Sequence, residues 1–115
     1  MSDTAYAQSL IQEAFPRDKH GSVYAAQFAA YDFMRRHLRK NMTFRRARSI
    51  WEGAARRIDA EEAEALKRAK FEEAQREYSH LRDRLSELDA EIAALRQEMD
   101  GATVSSPSKT SGIWG

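Results

Sequence analysis

Between residues 35 and 57 the chain carries nine basic side chains, Arg35, Arg36, Arg39, Lys40, Arg45, Arg46, Arg48, Arg56 and Arg57, against a single acid, Glu52. Eight of the nine are arginine. A guanidinium presents a planar fork of donors that matches phosphates and base edges, whereas lysine would serve for solubility alone. The chemistry offered is therefore recognition of a polyanion. The plainer reading is a helical protein with a solvated basic face. Other reactive groupings do not form. With no cysteine there is no thiolate metal site and no cysteine nucleophile. His20, His37 and His80 lack partners at metal-ligand spacing and read as surface residues. There is no glycine-rich phosphate loop and no nucleophile motif, so neither an enzyme nor a metal or other cofactor is expected.

The charge is divided along the chain. Residues 1–58 hold eleven Lys/Arg and five Asp/Glu, and residues 59–100 hold seven and thirteen, so a net of +6 is followed by a net of −6. Lys109 brings the whole to +1. Such a division suggests a polyanion-facing module joined to a module of another kind. A length of 115 residues fits one small domain plus an extension, and 5 Gly with 2 Pro are too few turn formers for a many-stranded sheet. No apolar run is long enough to span a membrane, and Met-Ser-Asp-Thr at the start lacks the pattern of a secretory signal. The expectation is a cytoplasmic protein.

The elements that must position the arginines follow from apolar spacing. Ala7, Leu10, Ile11, Ala14 and Phe15 make one stripe of a helix over 3–15, which Pro16 ends, and 16–21 reads as a loop. Ser22 caps a helix over 23–39, with Val23, Ala26, Ala30, Phe33, Met34 and Leu38 on one side. Tyr24, Phe28 and Tyr31 add aromatic bulk and make this helix the expected centre of a small core. Arg35, Arg36, Arg39 and Lys40 load its last turn, where cations also suit the helix dipole. Thr43 caps a helix from Phe44 to Glu52, which turns Phe44, Ala47, Ile50 and Trp51 inward and Arg45, Arg48, Ser49 and Glu52 outward, with Arg46 beside them. Gly53 stops it, and a connector carries Arg56 and Arg57.

Asp59-Ala60-Glu61-Glu62 has the form of a capping box and opens a helix of roughly forty residues, a length that points to a coiled coil. Apolar residues recur at alternating intervals of three and four, with Phe71, Tyr78, Leu85, Ile92 and Met99 at a and Ala74, Leu81, Leu88 and Leu95 at d. In a parallel homodimer Glu77 meets Arg82, Arg84 meets Asp89 and Glu91 meets Arg96, all opposite in sign. An antiparallel pair centred on Arg84 sets Glu77 against Glu91. Self-association in parallel is expected. The acids of 59–100 read as solvated flanks of this seam. Upstream, Ala63, Leu66 and Ala69 leave the a/d frame, which marks where the long helix packs on the globular part.

The stretch Arg48-Ser49-Ile50-Trp51-Glu52-Gly53-Ala54-Ala55-Arg56-Arg57-Ile58-Asp59 resembles the end of a helix-turn-helix of the lambda-repressor/Cro type. There a recognition helix closes in a glycine turn, followed by a small basic connector and a capped helix. The same segment is similar to small helical proteins of alphaproteobacteria and their phages, which carry Arg-Ala-Arg-x-Ile-Trp, then Ala-Arg-Arg-Ile-Asp and a C-terminal coiled coil. The resemblance covers about residues 40–66 and implies that Arg45, Arg46 and Arg48 contact bases or phosphates and that Arg56 and Arg57 contact the backbone.

The fold class expected is all-α, a helix-turn-helix-like domain over 1–58, a coiled-coil helix over 59–100 and a disordered tail over 101–115. The expected function is that of a dimeric binder of double-stranded DNA, a transcriptional regulator or phage-type accessory factor. Its nucleic-acid face comprises Arg35, Arg36, Arg39, Lys40, Arg45, Arg46, Arg48, Ser49, Arg56 and Arg57. The alternative is a coiled-coil adaptor whose arginine face docks an acidic protein. Single-stranded RNA would be favoured by aromatics interleaved with the basic patch, but Phe44 and Trp51 are assigned inward. A membrane-surface helix is disfavoured because the basic residues border no exposed apolar face. Ile113-Trp114 in the tail suits a short docking peptide for a protein partner.

Overall fold

A computed structural model describes residues 3–105, with side chains described as far as Gly101. The described residues form five helices and no strand: α1 (Asp3–Ala14), α2 (Arg17–His20), α3 (Val23–His37), α4 (Phe44–Trp51) and α5 (Ala60–Ser105). The all-α class is thus shown. None of these helices is long and apolar enough to cross a membrane.

The boundaries are set by side chains expected to set them. Ser22 Oγ accepts from the Ala25 N–H at 3.0 Å at the start of α3, and Thr43 Oγ1 accepts from the Arg46 N–H at 3.1 Å at the start of α4. Each satisfies a backbone donor left over at a helix N-terminus, an effect worth about 1 kcal/mol. Gly53 closes α4 at φ 75°, and the Gly53 and Ala54 N–H groups donate back to the carbonyls of Ile50 and Ser49 at 3.2 and 2.9 Å. This double closure needs a left-handed residue. The expected loop over 16–21 is instead the one-turn helix α2, which ends at Gly21 (φ 93°).

The chain divides into two compact units, the second beginning at Tyr78. In the first, α4 packs across α1 and α3. Ile11, Met34, Ile50 and Leu66, one from each long element, are fully buried. Trp51 is buried as expected, and its carbonyl accepts from Gln8 at 3.1 Å and Gln12 at 2.8 Å. Leu66 and Ala69 are buried, which places the first turns of α5 on this core as the break in the heptad frame implied. The first unit therefore continues to Glu77, past the composition boundary at residue 58.

Four assignments to the core need correction. Val23, Tyr24 and Phe28 are exposed, the last two to 65% and 49%. Phe44 is only half-buried. The stripe of apolar residues on α3 is wider than the face that α1 and α4 cover, so its edge lies outside.

In the second unit α5 carries Tyr78, Leu81, Leu85, Ile92, Leu95 and Met99 exposed by half or more, with Leu88 half-buried. Phe71 and Ala74 of the first unit are exposed as well. Residues 101–105 continue the helix, in place of the start of the expected tail. The rest of that tail, Ile113 and Trp114 included, lies outside the described residues.

Candidate polyanion-binding surface

The expected contact residues separate into two groups. Arg46 is half-buried and bonded within the chain. Its Nε and Nη2 donate to the two oxygens of Glu62 at 2.8 Å each, and Nη2 also donates to the Arg57 carbonyl at 2.7 Å. Glu62 is fully buried and takes further donors from the Asp59 N–H at 3.0 Å and Lys40 Nζ at 3.0 Å. Lys40 also pairs with Asp59. Burial alone would push the Glu62 carboxyl up. Hydrogen bonds from Arg46, the Asp59 backbone and Lys40, with the Arg46 charge, outweigh it and hold the group at about 2, against an ordinary 4.5. Arg46, half-buried, and Lys40, exposed, are thus engaged by carboxylates of the chain itself. The acids of α5 are likewise not all solvated flanks, because Glu73 is buried too and pairs with Lys19 and Arg76. Burial pushes Glu73 up, and hydrogen bonds from Lys19 and Arg76 bring it below its usual value.

The half of the capping box that survives is the Glu62 half. Its side chain returns to the Asp59 N–H, while the Asp59 carboxylate turns to Lys40. The consequence is positional. Arg39 donates its backbone N–H to Glu61 at 2.8 Å, Arg46 holds the Arg57 carbonyl, and Lys40 holds Asp59. The segments carrying Arg39, Arg45 and Arg56-Arg57 are drawn together at the first turn of α5.

Of the remaining cations, Arg35 and Arg36 pair with Asp32 at 2.7 and 3.2 Å, and Arg48 pairs with Glu52 at 3.0 Å. These are exposed pairs within single helices, which hold their partners weakly. The guanidinium groups of Arg39, Arg45, Arg56 and Arg57 are exposed and have no carboxylate partner among the described residues. Arg56 and Arg57 also line an open depression with Asp3 and Asp59. Ser49 is half-buried, and its carbonyl is used in the closure of α4.

A feature that sequence reasoning assigned to the core adjoins this surface. Tyr24, Phe28, Tyr31 and Phe44 form one ring cluster, with centroid separations between 5.3 and 6.4 Å. Arg35 stands 6.0 Å over the Tyr31 ring. Phe44 and Arg48 are one turn apart on α4, so ring cluster and arginine face share a border. The signal was present in the spacing of Tyr24, Phe28, Tyr31 and Arg35, which recur every three or four residues on one edge of α3.

The histidines lie apart from these features. All three are exposed, and His37 stacks on Phe33 at 4.0 Å. Among the described residues no group of three or more His, Asp or Glu is placed to hold a metal ion. Comparison with protein-family models, with curated proteins and with solved structures finds no match to the chain.

Proposed function

We propose that the chain is a cytoplasmic, homodimeric DNA-binding protein, a transcription regulator or phage-type accessory factor, with α3 and α4 as its helix-turn-helix and α4 as the reading helix. One observation carries this. The first unit neutralises Lys19, Lys40 and Arg46 against its own buried carboxylates, yet leaves Arg39, Arg45, Arg56 and Arg57 exposed and unpaired. An anion from outside the chain is the complement of that set. Arg45 and Arg48 supply the outer face of α4 to the groove, and Arg39, Arg56 and Arg57 meet phosphates. Arg35 and Arg36 become available by exchanging Asp32 for a phosphate. The exposed heptad residues supply dimerisation, with a second copy as their partner because the flanking charges are self-complementary in parallel register.

The test is fluorescence anisotropy on a random duplex of roughly 30 base pairs across a salt series, long enough for two half-sites a helical turn apart. Wild-type protein gives a steep fall of affinity with salt, and the double variant Arg45→Glu/Arg48→Glu loses binding while keeping its helix content and mass. Absence of binding at low salt from folded protein overturns the proposal and leaves an acidic protein as the partner of the arginine face.

A further inference from the structure

The ring cluster on α3 and α4 is exposed, and duplex binding through the arginines gives it no work. Tyr24 and Phe28 are its outer members, both exposed, with ring centroids 6.4 Å apart and planes inclined at 37°. Tyr31 and Phe44 are its supports. Tyr31 stands edge-on to Phe44 at 78° and to Phe28 at 65°, and Arg35 covers part of its face. The border is cationic, with Arg35 and Arg48 at its ends and Arg45 next to Phe44. The acid beside it on α3, Asp32, is bonded to two arginines. Flat rings next to guanidinium groups, Arg45 unpaired and Arg35 and Arg48 held only in exposed pairs within their own helices, match a polymer that alternates flat bases with phosphates. A paired duplex hides its base faces, and an unpaired strand offers them.

We infer that Tyr24 and Phe28 form a stacking platform for unpaired bases of single-stranded DNA, whose phosphates run to Arg45 and Arg48. The inference rests on the DNA-binding reading and extends it. The protein binds DNA that contains an unpaired stretch more tightly than a blunt duplex, and the two ring residues account for the difference. An acidic amphipathic helix is the competing occupant. It is less well matched, because this cluster consists of rings alone, whereas grooves for such helices engage apolar anchors at helical spacing.

The experiment measures anisotropy of a thymidine oligomer of about 16 nucleotides and of the blunt duplex. It uses wild type, Tyr24→Ala, Phe28→Ala, Phe28→Leu and Tyr24→Phe. The substituted side chains are outside the core, and circular dichroism verifies the fold of each variant. The expected result is that each alanine variant weakens oligomer binding about tenfold with duplex binding unchanged. Tyr24→Phe retains affinity because the ring is kept, and Phe28→Leu loses it although apolar bulk is kept. Oligomer binding that ignores the alanine variants overturns the platform and leaves the DNA-binding reading standing. Loss on oligomer and duplex alike overturns its preference for unpaired bases. Tighter, ring-dependent binding of a uridine oligomer of the same length shifts the assignment to RNA and overturns it for DNA. Ring-dependent binding of an acidic amphipathic peptide, with no binding of oligomer, assigns the cluster to a protein partner. Failure of both oligomer and duplex to bind overturns the DNA-binding reading as well.

Discussion

Glu62 shows how a single side chain can reassign its neighbours. A carboxylate with no solvent contact stays ionised only where donors replace water, and here Arg46, Lys40 and the Asp59 N–H do so. Its folded-state value of about 2 lies below the ordinary 4.5. The group therefore contributes stability that is complete above about pH 4.5 and lost as pH falls toward 2, on the order of 3 kcal/mol. Urea unfolding of wild type should reveal that loss over this window. Glu62→Gln should cost about 3 kcal/mol or more at neutral pH, since it leaves the Arg46 charge partly buried without a counter-ion. The gap between the two proteins should narrow as acid protonates the wild-type carboxyl. A gap that stays constant from neutral pH to pH 2 would refute this account. The residue scale is also where the sequence was least legible. Arg46 is charged and reads as solvent-facing, although it lies one turn from buried Ile50; only a partner sixteen positions away decides the matter.

The starts of α3 and α4 and the end of α4 were legible because capping and glycine closure are local chemistry, whereas α3 stops at His37 and leaves Arg39 and Lys40 outside the last turn expected to carry them. Ser22, Thr43 and Gly53 act on backbone groups within a few residues of themselves. The ring cluster was not legible, since periodicity gives the direction of a stripe and not the width of the element that covers it. Tyr24 and Phe28 stand at the margin of that stripe. The two left-handed glycines, Gly21 after α2 and Gly53 after α4, provide a matched pair of tests. A Cβ at Gly53 would stand 2.9 Å from the Gln8 side-chain oxygen, and a Cβ at Gly21 would meet nothing within 4 Å. Gly21→Ala should cost about 1–2 kcal/mol from backbone strain alone. Gly53→Ala should cost more, because Gln8 must also give up its position against the Trp51 carbonyl. Thermal unfolding of the two variants side by side measures the difference, and equal losses would show that Gln8 moves freely.

At the scale of the whole molecule, the charge divides after residue 58 and the chain divides into two compact units at a different place. The division falls at Tyr78 because Leu66, Ala69 and Glu73 of the acidic half belong to the first core. Composition could not show this, as the pairing of Lys19 with Glu73 spans 54 positions. The exposed heptad residues carry the prediction for assembly. Leu85→Asp should leave the first unit folded and convert a dimer to a monomer by light scattering, whereas a wild-type monomer would refute dimerisation. Orientation is separable from mass. The chain has no cysteine, so a single Leu95→Cys should oxidise to a covalent dimer only when the two copies lie parallel and in register. Helix ends ordinarily fray, because their first N–H groups have nothing to hold them. The start of α5 is different. Asp59, Glu61 and Glu62 are each engaged by groups from the segment before α4 or from α4 itself. That end of the helix is thereby sealed, and opening it means opening the α4 junction at the same time, so a local fluctuation there becomes a cooperative event of the whole first unit.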